Sequence, residues 1–576
     1  MKTTINLNGE WKFAPVTDQK PNNNHNVIES DIPLYCHPKL DRRNWENVTV
    51  PGCWEKISEK YSMYEGVAWY YKEFELNDTK NALVKLVFKG VNYKATVYVN
   101  GKYVGVHESG YTEFNFDISD FCTLGTNSVA VEVDNRAHIT KWPNDWGYVV
   151  YSGIHRDCFV EVYSGDYIHD VNIVADFDVN NQKGILTLWG KAPKYEGDIT
   201  VTVGDVNTNI NCHDDLFCQK LKFDNITPWS PENPKLYDLT ISMGDEIYEQ
   251  TKIGFRNIKC KDDKILLNGK PTTLNGACYL YDSPKYGLTM TKDQLEADLT
   301  KMKEANVNSI RTHYPMSDLF YEMCDEMGFT VWIEPNIYCS KPANDQTNTV
   351  FAQKEMIDAA VSMTREMIKG ARKYASVIIY GIGNECNTDH PEAYKFFERI
   401  ADITILEDNT RILGYASLFG QVGTIGSLVD VMGINSYFGW YDLIQTFDVE
   451  DHLKEGEVRK ADVSLVHKMI EDTKAKLLDG TPILLTEFGA DSTPGYIDDR
   501  CPLWSENHHA NVISEYVKAS KLHDYVCGTY VFAFTDYGDP SKPNNGRWNG
   551  FNLKGMLSYD RQYKLPFYAL KQSYQK

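Results

Sequence analysis

The sequence predicts a multidomain chain: a jelly-roll β-sandwich (1–165), an immunoglobulin-like β-sandwich (166–256) and a C-terminal (β/α)₈ TIM barrel (257–576). Three observations carry this. At 576 residues the chain is too long for one ordinary core. Its first half is written in short apolar-polar alternations broken by turn residues, the pattern of antiparallel β structure. After Ile265-Leu266-Leu267-Asn268-Gly269 the texture changes to strand, helix, strand, which belongs to a parallel sheet with crossover helices.

In the first segment, Ala82-Leu83-Val84-Lys85-Leu86-Val87-Phe88 and Ala95-Thr96-Val97-Tyr98-Val99 alternate with period two, and Asn100-Gly101 suits a two-residue hairpin turn. The second repeats the pattern in Gly184–Trp189, Asp198–Val203 and Leu236–Ser242, at the spacing of an immunoglobulin-like sandwich. Cys212 and Cys218 lie too close in sequence to bridge its two sheets. In the third, Thr291-Lys292-Asp293-Gln294 reads as a capping box opening a helix through Glu304, with Leu295, Leu299 and Met302 on one face. Eight barrel strands are expected near Thr273–Cys278, Val307–His313, Phe329–Glu334, Val377–Glu385, Arg411–Ala416, Val429–Tyr437, Ile483–Phe488 and Thr529–Phe534.

The net charge of −21 argues against nucleic acid or an anionic membrane as partner. It leaves room for an anionic small substrate, because a local cluster of cations can oppose the global sign. No stretch of about 18 apolar residues occurs, and the start, Met1-Lys2-Thr3-Thr4-Ile5-Asn6, has no apolar leader core. Thirteen scattered cysteines without a CxxC pair read as free thiols of a reducing compartment, so a cytoplasmic location is expected. Most of the 37 tyrosines are expected to fill cores, and some can stack on sugar faces.

Two stretches, Gly381-Ile382-Gly383-Asn384-Glu385 and Leu484-Leu485-Thr486-Glu487-Phe488-Gly489, each end an apolar run with a glutamate. Either alone is most simply a strand-end acid in an ion pair. Within one barrel both fall at the C-terminal rim, together with Arg311, His313, Glu334, Asn435, Tyr437 and Asp536, and such convergence marks a site. Two carboxyl groups across a crevice can cleave a glycosidic bond, one protonating the leaving oxygen while the other attacks the anomeric carbon; retention needs them about 5–5.5 Å apart. Asn384, beside Glu385, can hydrogen-bond a sugar hydroxyl, which suits Glu385 as proton donor and leaves Glu487 as nucleophile.

Asn384-Glu385, Thr486-Glu487-Phe488-Gly489, Arg311-Thr312-His313-Tyr314-Pro315 and Tyr321–Gly328, with the domain order, resemble glycoside hydrolase family 2 over nearly the whole chain. The resemblance implies a retaining mechanism with Glu385 as acid/base and Glu487 as nucleophile, His313 as a further site residue, a sugar-binding-like first domain and a homo-oligomer. No cofactor is required for such a reaction, although some bacterial members carry a flavin mononucleotide remote from the active site. Asn552 and Lys554 resemble the Asn-x-Lys pair with which β-glucuronidases hold the sugar carboxylate, and a carboxylate entering a desolvated pocket does need a cation and neutral donors. The plain alternative is a solvated lysine before a turn glycine. Asn435–Tyr441 resembles a glucuronidase segment that sets Tyr437 near the nucleophile and Tyr441 on the carboxylate, with Arg547 assisting. Asp145 resembles an aspartate that reaches from the first domain to the sugar hydroxyls.

Three departures from the family pattern stand out. Tyr279-Leu280-Tyr281-Asp282 replaces the Arg-His-Glu of β-galactosidases, leaving Asp282 as a candidate sugar ligand. Phe532 stands where the family has Trp. The segment from Tyr338 to about Ala352 is short where some gut bacterial members carry a lid, which implies a more open site. The expected activity is therefore hydrolysis of β-D-glucuronides, ahead of β-galacturonides or β-galactosides and of a carbohydrate-binding protein with an inactive barrel. His508-His509 and His213-Asp214-Asp215 lack metal-ligand spacing with a third partner, so no metal is expected.

Overall fold

A computed structural model describes residues 2–16, 34–77, 83–136, 141–143, 148–338, 350–444, 453, 456–542 and 547–575. The described residues between 2 and 163 form an antiparallel sandwich of a six-stranded and a four-stranded sheet. Strands Lys94–Val99 and Lys102–Glu108 pair across Asn100-Gly101, whose φ values of 51° and 78° are the double left-handed conformation of a tight hairpin. Trp11, Phe13, Trp54, Tyr70, Leu86 and Val131 are buried between the sheets. The next domain packs a three-stranded sheet (His169–Asp178, Lys183–Lys191, Leu216–Phe223) on a four-stranded one (Val206–Cys212, Gly197–Val203, Tyr237–Met243, Glu246–Ile253). Cys212 and Cys218 are free, as are all cysteines among the described residues.

The last domain is a closed parallel barrel of β1 (Leu274–Cys278), β2 (Ser309–Arg311), β3 (Thr330–Ile333), β4 (Val377–Asn384), β5 (Ile412–Leu418), β6 (Val431–Asn435), β7 (Ile483–Glu487) and β8 (Val526–Val531). All eight expected strands are present; most are shorter than expected, because His313, Glu334 and Phe488 belong to rim loops rather than to the ladder. Every residue of β3, β4, β6 and β7 is buried, which is why these runs lack alternation. Trp332 of β3 fills the interior: a Cβ on Gly381 would come within 2.4 Å of its Nε1, and one on Gly414 within 2.7 Å of its ring. The glycine opening the Gly381–Glu385 stretch is thus a packing requirement. Helix α1 (Lys292–Glu304) begins after Thr291 as read, but the Thr291 side chain makes no capping bond, so only the backbone half of that signal is realised.

The domains meet through fixed polar and aromatic contacts. Trp142 donates its indole N–H to the Met356 carbonyl of a barrel helix (3.0 Å), and Tyr111 stacks on Tyr314 with centroids 4.3 Å apart. Arg256, fully buried where the second domain ends, donates to the carbonyls of Ala375 (3.2 Å), Thr410 (3.1 Å) and Val377 (3.1 Å). Burial and the nearby Arg411 charge lower its pKa to about 9. These carbonyls sit at the foot of β4 and before β5; that of Val377 also accepts from Arg411 Nε (3.1 Å), so Arg256→Met takes the donor from the buried Ala375 carbonyl and the partly buried Thr410 carbonyl. We expect a loss of about 1–3 kcal/mol, read as a lowered urea midpoint at constant slope; a loss below about 0.5 kcal/mol would remove Arg256 as a strut of the acid-bearing strand.

Candidate active site

The C-terminal rim of the barrel opens into a cavity of about 260 Å³ lined by Asn384, Glu385, Glu487, His313, Tyr437, Tyr441 and Asn552 among others. Both glutamates therefore face one space. Glu487 ends β7 and is fully engaged: Oε1 accepts from Arg311 Nη1 (2.8 Å) and His313 Nε2 (3.0 Å), and Oε2 accepts from the Tyr437 hydroxyl (2.6 Å). Burial alone would push its pKa up, but the His313 bond, the Arg311 charge and the Tyr437 bond outweigh it and hold the pKa at about 2. Glu487 is thus ionised at any physiological pH.

Glu385 follows β4 in a left-handed conformation (φ 46°), unusual for a residue with a Cβ, and its N–H donates to the Ala416 carbonyl of β5 (2.8 Å). Its carboxyl accepts from Asn435 Nδ2 (2.8 Å). Burial raises its pKa to about 8, with the Glu487 charge adding to the rise and the Asn435 bond opposing it. One cavity thus holds a protonated and an ionised carboxyl, the division of states that acid and nucleophile need. Asn384 Oδ1 takes bonds from Arg311 Nη2 (2.8 Å) and Asn435 Nδ2 (3.0 Å), leaving its own Nδ2 without a bond among the described residues and able to donate to a ligand.

The second cluster lies beside this pair. Lys554 Nζ donates to the Tyr441 hydroxyl (2.8 Å) and to Asp491 Oδ2 (2.7 Å), and it sits 5.5 Å from the centroid of the Tyr437 ring. Asp491 also accepts from Trp440 Nε1 (2.8 Å) and the Leu553 amide (2.8 Å). Asn552 lines the cavity, its side-chain oxygen accepting from the Lys554 amide at 3.3 Å. Phe532 also lines the cavity, its edge toward His313, Tyr437 and Tyr537.

Three expected residues do not line the cavity: Lys554, buried on Asp491 behind Tyr441, and Asp282 and Arg547. Asp282 is spent on structure: Oδ1 accepts from the hydroxyls of Tyr151 (2.8 Å) and Tyr559 (3.2 Å), and Oδ2 from the Gly538 amide (2.9 Å). Arg547 sits over the rings of Tyr496 and Trp504, 5.7 and 5.8 Å from their centroids, and does not line the cavity. Asp145 and most of the short 338–352 segment lie outside the described residues. Tyr148, three positions beyond Asp145, does line the cavity and donates to Asn336 Oδ1 (3.1 Å), so the first domain reaches the site.

Sequence reasoning missed Asp491, Asp539, Lys542 and Tyr148. A signal for Asp491 existed, since a buried lysine requires a counter-charge and Asp491 follows Glu487 by four positions. His508 and His509 are buried and bonded to the Gly439 carbonyl and the Ser492 hydroxyl. His213 and Asp214 do gain a neighbour the spacing did not show, Glu196, but all three are exposed, at ion-pair distances of 3.5 Å.

Known proteins place these features in one family. Residues 5–163 match the sugar binding domain of glycosyl hydrolases family 2, 162–256 a further model of glycosyl hydrolases family 2, and 258–576 the TIM barrel domain of that family. The chain belongs to glycoside hydrolase family 2. A β-galactosidase of Streptococcus thermophilus is 30% identical over 463 residues, 72% of this chain but 43% of the relative, so the chain spans less than half of that longer protein. A β-glucuronidase of Paenibacillus borealis is 24% identical over 97% of this chain and 94% of its own. Among solved structures, a β-galacturonidase from Eisenbergiella tayi bound to galacturonate superposes with a TM-score of 0.82 at 25% identity, covering 100% of this chain and 97% of that one. A β-glucuronidase from Ruminococcus gnavus in complex with D-glucuronic acid shares the fold with a TM-score of 0.84 at 23% identity, covering 100% and 98%.

The Lys554–Asp491 pair has a consequence for mutagenesis. Both groups are buried, so Lys554→Ala leaves an uncompensated carboxylate. We expect it to cost about 3–5 kcal/mol of stability at pH 7, a deficit that narrows as the pH falls and Asp491 takes up a proton. Denaturant titration at pH 7 and pH 5 checks this; an equal deficit at both would separate Asp491 from the effect.

Proposed function

We propose that the chain is a retaining β-glycosidase selective for β-D-glucuronides. The observation that carries the sugar assignment is the Lys554–Tyr441–Asn552 cluster, which sets a desolvated cation, a hydroxyl and an amide beside Tyr437, the residue that holds Glu487. Lys554 is itself balanced by Asp491, so a C5 carboxylate would be met by the Tyr441 hydroxyl, the Asn552 amide and the cavity-lining Lys542, a charged set that a neutral sugar leaves unmatched.

In this reading the ionised Glu487 attacks the anomeric carbon while Glu385 passes its proton to the glycosidic oxygen, so that the C–O bond to the aglycone breaks as the bond to Glu487 forms. Glu385, now ionised, takes a proton from water, whose oxygen displaces Glu487 and restores both starting states. Arg311, His313 and Tyr437 hold the nucleophile ionised and oriented, and Asn384 offers its amide N–H to a sugar hydroxyl. The split protonation of the two glutamates favours an enzyme over a binding protein with an inactive barrel. β-Galacturonide cleavage is the second reading, favoured by the likeness to the Eisenbergiella tayi β-galacturonidase; the carboxylate cluster serves both epimers.

Turnover of p-nitrophenyl β-D-glucuronide, β-D-galacturonide and β-D-galactoside compared side by side tests the assignment. The glucuronide is expected to lead in kcat/KM, exceeding the galactoside by at least about tenfold, roughly 1.4 kcal/mol. A leading galacturonide would select the second reading, a leading galactoside would remove the uronide assignment, and no turnover of any would remove the enzyme.

The pH profile tests the roles. Activity requires protonated Glu385 and ionised Glu487, so kcat/KM is expected to fall as the pH rises through about 8. On the acid side Glu487 stays ionised down to about 2, so the loss there should follow unfolding measured on the same samples. A more acidic phenol as leaving group needs less proton donation, and its alkaline limb should be weaker. An alkaline limb that is the same for both leaving groups would count against Glu385 as the acid.

A further inference from the structure

The cation that faces the cavity is not Lys554. That residue is 1% exposed, and its charge is already balanced by Asp491. Lys542, on the loop between the short strands β9 (Tyr537–Gly538) and β10 (Phe551–Asn552), is partly exposed and lines the cavity. Its Nζ donates to the Tyr441 hydroxyl at 3.0 Å and makes no ion pair among the described residues. It sits 5.3 Å from the ring centroids of both Tyr441 and Trp548, contacts that restrain an otherwise mobile side chain. The bland reading is a solvated loop lysine, and these contacts tell against it.

Two ammonium groups therefore donate to one oxygen: Tyr441 Oη receives Lys554 at 2.8 Å and Lys542 at 3.0 Å. A phenol oxygen has two lone pairs and one proton. With both lone pairs occupied, the hydroxyl can only donate, and its proton must point away from both lysines. Lys542, Lys554 and Asp491 together leave one positive charge over, the charge that a single carboxylate cancels.

The other charged groups facing the cavity are acidic. Glu487 is ionised, Glu385 holds its proton, and Asp539 has Oδ1 bound to the amide (3.0 Å) and hydroxyl (2.5 Å) of Ser541 and Oδ2 3.5 Å from Asn552 Nδ2. An anionic sugar entering past Glu487 and Asp539 is repelled by both. Among the described residues, Lys542 is the one lysine or arginine that lines the cavity.

We propose that Lys542 is a specificity-determining residue: with Lys554 it saturates the Tyr441 oxygen, turns the Tyr441 hydroxyl into a donor for a sugar carboxylate, and supplies the unpaired positive charge that the carboxylate meets. This rests on the uronide reading of the site. The chemical class it selects is a monoanionic sugar acid over its neutral hexose counterpart.

The test compares the full-length protein with Lys542→Gln, Lys542→Arg, Tyr441→Phe and the Lys542→Gln/Tyr441→Phe double variant. The readouts are KM and kcat on the glucuronide and inhibition constants for free glucuronate and glucose. Lys542→Gln is expected to raise the glucuronide KM and the glucuronate inhibition constant by about tenfold or more, with a much smaller change in kcat and no parallel weakening toward glucose. Lys542→Arg should recover most of the loss, and the double variant should lose less than the sum of the two single losses, because part of the Lys542 effect passes through the Tyr441 hydroxyl. Equal weakening toward glucuronate and glucose, no change in either, or additive losses in the double variant would overturn the proposal. A uronide preference in the unmodified protein that survives Lys542→Gln overturns this inference alone, whereas absence of that preference removes the uronide reading and the inference together.

Discussion

Arg311 leaves β2 with no exposed surface, and its guanidinium is shared among Glu334 Oε1 (2.8 Å), Asn384 Oδ1 (2.8 Å), Glu487 Oε1 (2.8 Å) and the Thr486 carbonyl (3.2 Å). A buried charge is tolerable only when every face of it is met, so this fork fixes the ends of β3, β4 and β7 relative to one another. It also sets the charge of the site. One guanidinium between two carboxylates leaves the rim with a negative excess, and ionising Glu385 would add to it in a desolvated space. Arg311, with His313 and Tyr437, keeps the charge on Glu487, whereas burial and that charge hold the proton on Glu385 against the pull of the same arginine.

The two ends of the cavity are built by different means. Around Glu487 and Glu385 the side chains come from strand ends, and the barrel's own hydrogen-bond ladder fixes their spacing. The Lys554 cluster comes from loops after β6, β7 and β8, and it is held by ion pairs and aromatic edges instead: Trp440 on Asp491, and Trp504 against both Trp440 and Trp548. The reacting end is rigid because the scaffold is. The end that would choose the sugar is rigid only while its charges balance, which is why Lys554 cannot be removed without disturbing Asp491.

Much of this was legible in the sequence. Continuous β-branched runs ending in a polar residue identified the barrel strands, the hairpin dipeptide identified the sandwich, and two glutamates at such ends identified the reacting pair. What was not legible depends on loops, where spacing does not fix the direction of a side chain. Asp282 follows β1 as a ligand would, yet its oxygens are taken by Tyr151, Gly538 and Tyr559, none of them near it in sequence. Arg547, expected at the sugar carboxylate, lies over Tyr496 and Trp504 instead, a direction that spacing in a loop does not give. Lys542 sits in a stretch with no periodic pattern, and only the position of Tyr441 gives it meaning.

Tyr148 gives the architecture a further meaning. The wall it contributes comes from a domain whose own core is closed and complete without the barrel, yet the cavity has a side missing if that domain is taken away. The barrel carries the reacting groups but not the whole enclosure, so the smallest catalytic unit of this chain is larger than the domain that holds its chemistry. The sandwich and the barrel therefore share one cavity wall, and a change in the sandwich that moves Tyr148 reaches the site without touching a barrel residue.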